Sequence, residues 1–107
     1  MLLKNDTDYS NSVIYKICCN DESITPLYID CYHSIEKAKD MHKHFYKKYK
    51  NLWGHYKFID DNGGWDNWSF VVLENVNCDS SIELRQKCFE YKLLLNYNRI
   101  PSMYGVN

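Results

Sequence analysis

The side chains able to move protons or hold a hard cation are scattered along the chain. Tyr15 and Tyr28 sit in strand-forming runs, His42 on a helical stripe, and Glu83 and Glu90 on a segment near the end. Phenols and an imidazole can assist proton transfer, and a carboxylate can bind magnesium or manganese. Each also has a plainer role. The tyrosines suit packing or hydrogen bonding, and a histidine on an apolar stripe is more often satisfied in a core than used as a base. Five cysteines, 18, 19, 31, 78 and 88, are an odd set with no CxxC or Cys/His spacing for zinc. They read as reduced, mostly buried thiols, and Cys88 as a small core hydrophobe. The sequence calls for no cofactor and supplies no metal set.

Charge is distributed unevenly. Between residues 33 and 57, seven lysines face two carboxylates, although the net charge of the chain is −1. Lys39, Lys43, Lys47 and Lys50 share a helix face. Such a stripe can follow a phosphate backbone, but it is also the ordinary solvated side of an amphipathic helix.

These residues need elements to place them. A chain of 107 residues supports one domain with one modest core. Residues 1–11 are polar and read as an arm, 12–101 as the domain, and 102–107 as a tail. Ser12 to Cys19 and Thr25 to Asp30 are rich in strand formers and flank a polar turn, so they predict an antiparallel hairpin. Ser34 can cap a helix over 34–50, whose stripe is Ile35, Ala38, His42, Phe45 and Tyr49. A short helix, 55–61, stops at Asn62-Gly63-Gly64. Trp68 to Glu74, apolar on both faces, predicts a central strand. Asp79 or Ser80 caps the last helix, with a capping box through Glu83 and a stripe of Leu84, Cys88, Tyr91 and Leu95. The sum is α+β: a small three-stranded antiparallel sheet flanked by helices in ββααβα order. No apolar run has the roughly 20 residues of a membrane helix, and the early polar residues do not suit a signal peptide, so an intracellular protein is expected.

Six pieces in order carry a resemblance. They are Ile14-Tyr15-Lys16-Ile17, Tyr28-Ile29, His42, Asn62-Gly63-Gly64-Trp65-Asp66-Asn67-Trp68, Glu83-Leu84-Arg85 and Asn98-Arg99-Ile100-Pro101. Together they cover 12–101 and resemble the GIY-YIG nucleases, especially compact versions from large DNA viruses. The resemblance implies a site in which an arginine on the first helix faces the phosphate, a glutamate on the last helix holds the ion, and hairpin tyrosines assist.

That site is degenerate here. The arginine position falls on Ala38, the glutamate position on Cys88, and the two glycine positions on Val13 and Asp30. Alanine has no donor, a thiol is a poor magnesium ligand, and an aspartate puts negative charge where phosphate would lie. Tyr15, Tyr28, Asp30, Ala38, His42, Cys88 and Asn98 are the site positions left, none of them expected to be catalytic. The implied protein is a pseudo-nuclease that acts by binding, with a protein partner or self-association favoured and nucleic acid as the other candidate. The alternative is a metal-dependent endonuclease whose rearranged site uses Tyr15, Tyr28, His42 and either Glu83 or Glu90.

Overall fold

The computed structural model describes residues 7–52, 54–95 and 97–100. Strands β1 (Ser12–Cys19), β2 (Tyr28–Tyr32) and β3 (Trp68–Val76) form one antiparallel sheet in the order β2-β1-β3. Helices α1 (Ile35–Tyr49) and α2 (Gly54–Asp61) come between β2 and β3, and α3 (Ser81–Leu95) follows β3. The α+β architecture and the ββααβα order agree with the sequence reading.

The centre of the sheet is β1, not β3. The Val-Ile-Tyr-Lys-Ile run of β1 is buried on both sides because it has a strand on each flank and helices over both faces. Side-chain alternation sends Val13, Tyr15 and Ile17 into the cluster shared with α1 and α2, while Ile14 joins Ile29, Leu84 and Cys88 below α3. The expectation of a central third strand fails: β3 is an edge, and Val71 and Val72 are 40% and 41% exposed. α3 packs on β2 and leaves the middle of β3 uncovered.

The second strand also starts later than expected, at Tyr28. Pro26 has no N–H to give a ladder, and the Leu27 N–H turns to the Asn98 carbonyl at 2.9 Å. Leu27 and Arg99 form an isolated parallel bridge, so the chain beyond α3 returns beside the entry to β2 and places Ile100 in the core. Of the expected arm, Tyr9 is tied down: its carbonyl accepts from the Ser12 hydroxyl and the Cys78 N–H. Residues 1–6, Pro101 at the expected domain end, the tail 102–107, Trp53 and Asn96 lie outside the described residues.

Local chemistry sets the helix ends. Ser34 Oγ accepts from the Lys37 N–H at 3.3 Å and fixes the start of α1. Ser80 Oγ accepts from the Glu83 N–H, and Glu83 Oε1 accepts from the Asp79 N–H at 2.7 Å, a reciprocal cap for α3. Gly63, at φ 103°, makes the turn out of α2, where a Cβ would collide with the Asn67 side chain. Trp68 Nε1 donates to the Asn62 carbonyl at 3.1 Å, and Trp65 packs on Tyr46 and Phe70, so both tryptophans pin this loop.

Candidate functional site

The face beneath α1 and α2 is organised around His42. β1 brings Tyr15, α2 brings Tyr56, and the imidazole lies between their hydroxyls. Tyr15 Oη is 2.8 Å from Nε2, and Tyr56 Oη is 2.8 Å from Nδ1. A neutral imidazole has one donor and one acceptor nitrogen, so two hydroxyls satisfy either tautomer. The ring is 2% exposed. Asp30, on the edge strand β2, brings Oδ2 to 3.7 Å from Nε2.

Burial dominates the electrostatics. It pushes the phenols of Tyr15, Tyr28 and Tyr56 well above the usual tyrosine range, and the nearby Asp30 charge adds to the effect. No phenolate base is therefore available near neutral pH. His55 at the start of α2 stacks on Tyr28 with ring centroids 4.2 Å apart, 7° from parallel. Desolvation, helped by the neighbouring His42 and opposed by Asp30, lowers its pKa to about 4. His55 stays neutral at pH 7, and its Nε2 is buried without a hydrogen-bond partner. The Tyr15–His42–Tyr56 chain could pass a proton along its own length, but it is closed to a dissolved substrate. This cluster suits a magnesium ion poorly. The ion needs several hard oxygens, and Asp30 alone supplies a carboxylate. Among the described residues, no group of three or more His, Cys, Asp or Glu is placed to hold a metal.

The positions implied by the resemblance separate into two environments. Tyr15, Tyr28, Asp30 and His42 come together, and Ala38 lies in the same cluster with no exposed surface. Cys88 belongs to the other cluster, beneath α3. Asn98 donates to Thr25 Oγ1 at 2.6 Å and so helps hold the returning chain. Glu83 is occupied in the cap, and Glu90 borders a depression with Glu74 and Lys87, away from His42. The structure therefore brings Tyr15, Tyr28 and His42 of the rearranged endonuclease site together but leaves both Glu83 and Glu90 apart from them. On the outer side of α1, Lys39, Lys43 and Lys47 are exposed and have no ion-pair partner among the described residues. Lys50 is half-buried, its ammonium lying over the Tyr46 ring, 5.5 Å from the centroid.

Beneath α3 is a second, open region. A cavity of about 500 Å³ lies at the β2 edge between Met41 of α1 and the Arg85, Cys88, Phe89 and Lys92 side of α3. Cys31 of β2 also lines it and packs against the cluster that holds Cys88, so the two thiols are neighbours. The Cys31 thiol beside it holds the Cys88 pKa below the usual thiol range, opposed by burial, assisted by Lys92 and opposed again by Asp30. The Cys88 neighbour and burial push Cys31 upward.

Sequence reasoning missed His55, Tyr56 and Cys31. Tyr56 and His55 follow Gly54 at the head of a short helix, and their only sequence signal is two polar rings together where that helix must meet His42. The hairpin register, Ile14 opposite Cys31, would have put Cys31 on the α3 side. No protein-family model, curated protein or solved structure matches the chain.

Proposed function

We propose that this chain is a catalytically inactive GIY-YIG-like domain, resembling those of large DNA viruses, that acts by binding protein through the outer face of α3. One observation carries the binding surface: Ile82, Phe89 and Leu93, at i, i+7 and i+11, form a single apolar stripe that is 68%, 61% and 62% exposed. Contiguous apolar surface on a helix favours a protein contact, and aromatic anchors such as Phe89 are typical of such interfaces.

Three features support loss of catalysis. Ala38 has no surface from which to reach a substrate, Cys88 offers sulfur where magnesium prefers oxygen, and the phenols are held protonated. No helix among the described residues is long and apolar enough to cross a membrane, and no membrane contact is proposed. Nucleic acid is the second candidate partner, through Lys39, Lys43 and Lys47.

Gel filtration with light scattering, together with binding to labelled duplex at two salt concentrations, tests the reading. A dimer or partner complex lost in Phe89→Glu supports it. A monomer that binds duplex with a steep salt dependence moves the function to the α1 lysines. Magnesium- or manganese-dependent plasmid nicking, abolished by Tyr28→Phe or Glu90→Gln, would overturn it.

A further inference from the structure

The five cysteines are not equivalent. Cys78 is buried, and burial raises its thiol pKa. Cys19 is held near Asn62 and Asn67, and Cys18 is half-buried on the other face of β1. Cys31 and Cys88 differ in lying in one cluster and on the wall of one cavity. They come from β2 and α3, with 56 residues between them in the chain, and they meet because α3 packs on the edge strand that carries Cys31. Both line the open cavity beside α3, Cys31 half-buried and Cys88 with 3% of its surface exposed, so a small solute enters from the Cys31 side. Arg85 and Lys92, three residues before and four after Cys88, place cations on the same side of the helix and line the same cavity.

We propose that Cys31 and Cys88 are a redox-active dithiol, which hydrogen peroxide closes into an intramolecular disulfide joining β2 to α3. The proposal does not depend on the binding role of the α3 stripe. Cys88 is the attacking sulfur: Cys31 and Lys92 beside it outweigh burial and Asp30 and favour the thiolate that reacts. The Cys88 thiolate attacks one peroxide oxygen, the O–O bond breaks, and hydroxide leaves and takes up the Cys88 proton as water. Cys88 is then a sulfenic acid. The Cys31 sulfur attacks it, the S–OH bond breaks, and the leaving hydroxide combines with the Cys31 proton as a second water. Two thiols lose two electrons and two hydrogens, and one peroxide becomes two waters.

The test is peptide mapping of the folded chain after brief exposure to hydrogen peroxide and alkylation of the remaining thiols. The expected product in the wild type is a peptide pair linked through Cys31 and Cys88, reversed by dithiothreitol, with Cys18, Cys19 and Cys78 still alkylated. This readout needs no variant. Cys31→Ser should stop at a Cys88 sulfenic acid trapped by dimedone. Cys88→Ser should slow oxidation of Cys31 by about tenfold or more. The oxidised protein should melt higher by on the order of 10 °C, because the bond closes a long loop. Oxidation at Cys18 with no 31–88 link would overturn the proposal, as would unchanged oxidation of Cys31 in Cys88→Ser.

Discussion

The two faces of the sheet spend their polar and sulfur chemistry in opposite ways. Under α1 and α2, every nitrogen of His42 has a hydroxyl partner and the ring has almost no surface. Under α3, two thiols meet at the wall of an open cavity, and the outer helix face presents apolar side chains to solvent. A closed polar cluster contributes stability and a unique geometry, whereas an open one with uncovered apolar neighbours is available to solutes and partners.

The largest expected effect tests the closure. Placing an arginine at the fully buried Ala38 in Ala38→Arg puts a charge into the core, which should cost about 4 kcal/mol or more in urea unfolding. Wild-type stability in that variant would mean that the α1 face is open. Next in size are Tyr15→Phe and Tyr56→Phe. Each removes one hydroxyl from a buried imidazole and should cost about 1–3 kcal/mol. The double variant should depart from additivity, since both hydroxyls hold one ring.

A smaller effect concerns pH. The His55 pKa falls from the usual 6.5 to about 4 on folding, so the unfolded chain takes up a proton first as pH drops. Stability from neutral His55 is complete above about pH 6.5 and declines between 6.5 and 4, by on the order of 1–2 kcal/mol after allowance for partial exposure. His55→Phe keeps an aromatic stack on Tyr28 and should flatten that part of the stability-against-pH curve. An unchanged slope would show that His55 is not desolvated. Smallest in stability is the open face. Phe89→Glu with Leu93→Ser should unfold within about 0.5 kcal/mol of wild type while abolishing association seen by light scattering. A large loss of stability would make the stripe part of the core.

Much of the fold was legible because its signals are local. The β-branched run of β1, the Ser34 cap with the Ala38-His42 stripe and the Ser80/Glu83 box each act within a few residues. The position of β3 was not legible, because an apolar run reads the same in a central strand and in an edge strand that leaves Val71 and Val72 uncovered. The expected α3 stripe held at Leu84 and Cys88 but not at Leu95, which is 46% exposed. Apolar residues surround this helix, so spacing alone does not select one face. Within the site, Tyr15, Tyr28, Asp30 and His42 lay in readable motifs. Their partners Tyr56 and His55 come from a second helix, and the Cys31–Cys88 contact depends on packing between elements far apart in sequence.

The short pairing of Leu27 with Arg99 bears on how the chain is made. A ribosome releases the entry to β2 early, yet the strip of backbone that completes it, and the Ile100 side chain that plugs the interior, emerge some seventy residues later. The nascent chain must therefore wait with a partly unsealed sheet, and its final closure follows synthesis of this segment rather than accompanying it.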